Sequence, residues 1–98
     1  MSGKPQTQVY RAAPGVYWAV EQGCTLVVNE LRSEVFRLAG LEQMVWDCLV
    51  LKYLPDQVRQ MAAMVGKLEP EAAGREIQAI LQEWRSLGLV EMEGPRHG

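Results

Sequence analysis

The sequence SEVFRLAGLEQMVWDCL, residues 33–49, decides the fold because it predicts a strand that leads directly into a helix. In its first part, apolar Phe36 and Leu38 flank charged Arg37, which partly fits the period of two of a strand with one buried face. In its second part, apolar residues recur at the helical spacing i, i+3, i+4, i+7, i+8: Leu41, Met44, Val45, Cys48 and Leu49. The chain before this stretch has the composition of β structure, and the chain after it has helical periodicity.

Two more strands are predicted upstream. Pro14-Gly15 supplies a turn before the β-branched and aromatic residues 16–20, and Gln22-Gly23 supplies a second turn before the residues TLVV at 25–28. A polar turn then leads to the third strand, Glu34 to Leu38. Short turns between successive strands predict an antiparallel three-stranded meander, and residues 9–11 are predicted to be extended before it.

Three helices are predicted downstream. The first runs from Gly40 to about Lys52, the second starts at Pro55 and ends near Gly66, and the third starts with Pro70 in its first turn and ends before Gly88. The apolar stripe of the third helix consists of Ala73, Ile77, Ile80, Leu81, Trp84 and Leu87. The prediction is therefore an α+β fold of the winged helix-turn-helix type, in which a three-stranded antiparallel sheet precedes three helices.

With 98 residues, the chain has room for one domain, predicted over residues 9–90. Residues 1–8 are polar and are predicted to be a flexible start, and residues 91–98 are predicted to be a flexible tail. The sequence has neither an apolar run long enough for a membrane span nor a secretory leader, so the expected compartment is the cytoplasm. The net charge of −2, from 10 basic and 12 acidic residues, argues against binding a polyanion such as nucleic acid.

The residues suited to chemistry are few. Cys24 and Cys48 lack the paired spacing of a zinc site or a disulfide framework, and they are interpreted as small buried apolar residues. The single histidine, His97, lies next to the end of the chain. No phosphate-binding, dinucleotide-binding or hydrolase motif is present. The sequence therefore predicts a protein with no catalytic residues, metal or cofactor, which leaves the classes of binding modules.

One such class is a winged-helix DNA-binding regulator. Between Glu69 and Leu87 there are four glutamates and two arginines, a net charge of −2, and phosphates repel a helix of that sign. A second class uses the third strand, because an open sheet edge accepts an extended peptide as a further strand. Glu34 and Arg37 leave both interpretations of this edge open, since charged residues also protect edges against unwanted pairing.

The order of the elements and several spacings resemble the PqqD-like family of RiPP recognition elements, which act in the biosynthesis of ribosomally made, modified peptides. The third strand ends in Leu38 and is followed by the pair Val45-Trp46 and by Leu49. The resemblance continues through an apolar second helix and a closing pattern, and it spans residues 9–90. The second helix contributes Val58 and Met61, and the closing pattern consists of Ile77, Ile80-Leu81, Trp84 and Gly88-Leu89-Val90. The run Ala13 to Val16 lies where the family enters its first strand.

The resemblance implies a non-catalytic protein that binds the leader segment of a precursor peptide as an added strand, in a cleft between the third strand and the third helix. Carried over onto this sequence, the implied peptide-binding residues are Glu34, Val35, Phe36, Arg37, Leu38, Ile77, Gln78, Leu81, Gln82, Trp84 and Arg85. Phe36 and Leu38 are either the floor of the cleft or plain core, and the same two readings apply to Ile77, Leu81 and Trp84. The exposed arginines are expected to favour acidic leader residues.

The resemblance also implies a modifying enzyme that acts in trans. The expected partner is a radical S-adenosylmethionine (SAM) maturase, and the alternative is the peptidase or cyclase of a lasso-peptide pathway. The expected oligomeric state is a monomer or a weak homodimer, because an open edge can also pair with its own copy.

Overall fold

A computed structural model describes residues 9–93, which form five strands and three helices in one chain. The strands are β1 (Val9–Ala12), β2 (Val16–Glu21), β3 (Cys24–Asn29), β4 (Glu34–Leu38) and β5 (Val90–Glu93). The helices are α1 (Leu41–Val50), α2 (Pro55–Gly66) and α3 (Pro70–Ser86). None of these helices is long and apolar enough to cross a membrane. Residues 1–8 and 94–98, including most of both predicted flexible ends and His97, lie outside this range.

The main sheet contains β2, β3 and β4 in that order, and every pairing is antiparallel. The register places Trp18, Val27 and Phe36 side by side across the three strands. One face of this sheet carries the core, since Val27 is fully buried and Leu38 at the end of β4 is 4% exposed. The predicted meander, including the bounds of its third strand, is confirmed.

The junction between β4 and α1 depends on Gly40. Its φ of +63° lies in the left-handed region, which glycine enters at little cost because it has no Cβ. The Gly40 carbonyl then accepts a hydrogen bond from the backbone N–H of Met44 at 3.1 Å, which starts the helix. Trp46 on α1 is completely buried and makes edge-to-face contacts with Trp18 and Trp84, at ring-centroid distances of 5.6 and 5.3 Å. This row of three rings joins the sheet, α1 and α3 in one core.

The buried stripe of α3 matches its sequence period. Ala73, Ile77, Ile80, Leu81 and Trp84 are all buried, and Leu87 packs against the same core. Gly88, with a φ of +77°, reverses the chain after α3. The reversal brings Leu89 and Val90 to the core, where both are buried.

The end of the described chain corrects one prediction. Glu91 to Glu93, predicted to belong to a flexible tail, continues β5, which pairs antiparallel with β1 from Val90 opposite Ala12 to Glu93 opposite Val9. The pairing is supported by Arg11, whose guanidinium donates to the Glu91 carboxylate across the two strands at 2.7 Å. A strand of four residues leaves too short a pattern to be recognised, and its stability comes from a partner 80 residues earlier.

Candidate functional site

β4 is an edge strand of the main sheet. β4 pairs with β3 along one edge, and no strand among residues 9–93 pairs with its other edge. In an antiparallel strand, every second residue directs its N–H and C=O away from the existing partner. Since β4 contributes five residues, its free edge offers an extended chain a short ladder of backbone hydrogen bonds.

The two faces of β4 differ in character. Leu38 on the inner face is buried and belongs to the core, whereas Phe36 is only partly buried and packs against the border of the core. On the outer face, Val35 is 65% exposed and Arg37 is exposed. Of the two apolar residues for which both readings were open, Leu38 is therefore core, and a contact of Phe36 with an added strand stays a prediction.

The predicted α3 residues do not share one environment. Trp84 is buried in the tryptophan row described above. Ile77, Gln78 and Leu81 line a largely apolar cavity of about 250 Å³, whose other walls come from α1, α2 and Tyr10 of β1. Gln78 also borders a shallow groove between α2 and α3, together with Gln82 and Arg59 of α2. The role of these residues in peptide binding stays a prediction.

Arg85, the remaining predicted α3 residue, lies beside β5. Its guanidinium points to the sulfur of Met92, with Nη1 and Sδ 3.1 Å apart. Arg85, in the last turn of α3, therefore contacts the small β1–β5 sheet.

The end of α3 meets the turn before β4 through a contact that sequence reasoning missed. The side-chain amide of Asn29 donates to the carbonyls of Leu87 and Gly88, at 3.3 and 3.4 Å, and Asn29 is 3% exposed. Its amide oxygen accepts the backbone N–H of Arg32, which shapes the turn. The sequence placed Asn29 in a polar turn, whereas it is the last residue of β3. A single asparagine at a strand end has no periodic signal, so nothing in the sequence marked it as the link between the sheet and α3.

The described residues provide little for catalysis. No three His, Cys, Asp or Glu side chains within residues 9–93 group closely enough to hold a metal ion. Cys24 and Cys48 are both buried and free, as the sequence predicted. Burial raises the pKa of the Cys48 thiol, and the neighbouring Asp47 carboxylate adds to that effect. The thiol therefore stays protonated and is a poor nucleophile near neutral pH.

Two solved structures are similar to this chain. A lasso peptide synthetase B1 complexed with the leader peptide gives a TM-score of 0.76 at 18% identity, over 84% of this chain and 96% of that chain. TbiB1 in complex with the TbiA(beta) leader peptide gives a TM-score of 0.75 at 14% identity, over 89% of this chain and 99% of that chain. The chain has the B1 fold.

The B1 fold confirms the predicted α+β architecture, and it confirms the resemblance to the PqqD-like family at the level of the fold. No family model and no curated protein matches the sequence. The match covers nearly all of each solved chain and more than four fifths of this chain, so it extends over the sheet and the helices together.

Proposed function

We propose that this protein is a non-catalytic recognition protein of the PqqD-like type, which binds the leader segment of a ribosomally made precursor peptide. The leader lies as an added strand on the free edge of β4, and the protein presents the remainder of the precursor to a modifying enzyme. The observation that carries the proposal is the open edge of β4 in a fold shared with two solved structures that are both complexes with a leader peptide.

The β4 edge suits this role because its backbone groups and its side chains contribute differently to binding. The N–H and C=O groups of the edge supply affinity for any extended segment, while Phe36 on one face and Val35 and Arg37 on the other contact alternate side chains of the leader. Arg37 favours acidic leader residues by about 0.2–1 kcal/mol, the usual range for an exposed ion pair.

The modifying enzyme acts in trans, and binding raises the effective concentration of the precursor at that enzyme. The PqqD-like spacings in the sequence favour a radical SAM maturase. One of the two similar structures is a lasso peptide synthetase B1, and this likeness favours the alternative, a lasso-peptide peptidase or cyclase. We further propose that the protein works in the cytoplasm, where ribosomes make the precursor.

A winged-helix DNA-binding regulator is less well supported. The acidic residues of α3, Glu71, Glu76 and Glu83, are all exposed, so they lie where a recognition helix would need cations. The two similar structures are both complexes with a leader peptide.

Fluorescence anisotropy tests the proposal directly. Fluorescein-labelled leader peptides, taken from short precursor genes adjacent to the gene for this protein, are titrated with the protein at several salt concentrations. We expect saturable binding that unlabelled leader displaces and that duplex DNA leaves unchanged. Absence of binding to every adjacent leader, together with salt-sensitive binding of labelled duplex DNA, would refute the proposal in favour of the regulator.

A further inference from the structure

We infer that Glu34 forms a subsite for a basic side chain of the bound peptide, so that the protein selects leaders with Lys or Arg at the position paired with Glu34. The inference rests on the proposed function and names the chemistry that one end of the β4 edge recognises. It assigns to Glu34 a role as a determinant of specificity.

Glu34 is the first residue of β4, and one oxygen of its carboxylate, Oε1, has no hydrogen-bond partner among residues 9–93. It pairs in register with Asn29 and lies on the same face of the strand as Phe36. Its Oε1 atom is buried, and within residues 9–93 nothing donates to that oxygen. A buried carboxylate oxygen is normally satisfied, and this one lies at the margin of an unpaired strand edge.

The polar groups next to Glu34 are engaged elsewhere. The amide of Asn29 donates to the carbonyls at the end of α3 and is not directed to the carboxylate. Arg32, the nearest cation along the chain, packs over Gly88 and directs Nη1 to the Ser86 carbonyl at 3.5 Å. Neither neighbour therefore neutralises the Glu34 carboxylate.

The charge of Glu34 itself sets the preference of the subsite. A carboxylate at the margin of the sheet edge attracts a cationic side chain and repels an acidic one. A Lys or Arg side chain from an added strand supplies the positive charge, and it supplies the donor that Oε1 lacks once the Glu34 side chain turns toward the edge.

The geometry of an added strand gives this subsite a spacing. The peptide residue paired with Glu34 and the residue paired with Phe36 project from the same face, two positions apart. The favoured leader therefore contains a basic residue separated by one position from an apolar residue. An antiparallel leader has the apolar residue first, and a parallel leader has the basic residue first.

A peptide selection tests the inference. A random twelve-residue library displayed on mRNA is selected on the immobilised full chain, on Glu34→Gln and on Glu34→Lys. We expect basic residues to be enriched at one fixed position, two from an apolar residue, with the native chain. Glu34→Gln removes the enrichment, and Glu34→Lys replaces it by Asp or Glu. A resynthesised native-selected peptide is expected to bind Glu34→Gln about tenfold more weakly, as a charge-assisted hydrogen bond is lost.

The control is Glu30→Lys, which makes the same charge change on an exposed turn residue outside β4 and is expected to keep the native selection. Circular dichroism confirms that each variant is folded, and Glu34→Gln provides the answer if Glu34→Lys is unfolded. Enrichment of strand-forming peptides with no charge preference, or with the same preference in all variants, would overturn the subsite while leaving leader binding intact. Failure of the native chain to enrich any peptide would overturn the proposed function and the subsite with it.

Discussion

At the scale of single residues, Asn29 shows how much of the architecture depends on one amide. It is buried, and its side chain donates to two carbonyls at the end of α3 while its oxygen accepts the N–H of Arg32. Asn29 therefore provides a polar link between the end of β3 and the end of α3, beside the longer contact of Arg32 with the Ser86 carbonyl. Without it, the carbonyls of Leu87 and Gly88 lose this donor in a partly buried site.

Replacing Asn29 by alanine is expected to lower the free energy of unfolding by about 1–3 kcal/mol, the usual cost of leaving buried polar groups unpaired. Urea denaturation followed by circular dichroism measures this change. The matched control is Glu30→Ala, the adjacent exposed residue, which is expected to change the stability by less than about 0.5 kcal/mol. Equal stabilities of the two variants would show that the Asn29 link does not contribute.

Cys48 gives a pH-dependent prediction. Because burial and Asp47 raise the pKa of its thiol, a smaller fraction is thiolate at any given pH than in an unfolded chain. In a Cys24→Ser variant, we expect iodoacetamide to alkylate the folded protein more slowly than the urea-unfolded protein, with the rate rising only at pH values above the ordinary thiol range. Mass spectrometry counts the modified thiol. Equal rates in both states would contradict a buried, protonated Cys48.

At the scale of elements, the open edge of β4 can be compared with the other edge of the same sheet. Val35 on β4 and Val20 on β2 are exposed valines, 65% and 68% accessible, on opposite edge strands. Val35 pairs with Val28 and Val20 with Thr25, three positions apart on β3. Since orientation alternates along β3, the two valines have the same hydrogen-bonding orientation relative to that strand.

Val35→Pro is therefore expected to weaken leader binding by at least about tenfold in the anisotropy assay, because proline distorts the edge and carries no N–H for the ladder. Val20→Pro perturbs the sheet in the same way on the far edge, and it is expected to keep native affinity. Circular dichroism establishes that both variants are folded. Native affinity in a folded Val35→Pro variant would show that the leader docks elsewhere.

The elements also show which parts of the fold and site the sequence could predict. The stripe of α3 and the bounds of β4 were predictable because each repeats its own period over several residues. β5 was not, since four residues paired with the opposite end of the chain form no local pattern. The alternation of the sequence also predicted that Phe36 and Leu38 share the inner face of β4. Gln78, Gln82 and Arg85 lie in different surroundings, which are set by the elements that pack against α3. The periodicity of one helix does not reveal which elements these are.

At the scale of the whole molecule, the β4 edge has two possible occupants. A second copy of the chain can pair with it as well as a leader, and the two modes exclude each other because they use the same backbone groups. We expect any weak dimer seen by sedimentation velocity at high protein concentration to dissociate when a saturating leader peptide is added. Val35→Pro is expected to be monomeric under the same conditions. A dimer that persists with bound leader would locate the dimer contact away from β4.

The pairing of β1 with β5 places Val9 and Glu93 directly opposite each other, so the chain enters and leaves the described fold at one point. A linker of a few residues can therefore join these two positions. A new N-terminus can be introduced at Gly23, in the turn between β2 and β3, where no atom beyond the adjoining residues lies within 4 Å of the position that a Cβ would occupy. Such a circular permutant keeps β3, β4 and α1 contiguous in sequence. It makes the domain an insertable cassette, which can be spliced into a surface loop of an enzyme with the β4 edge still free.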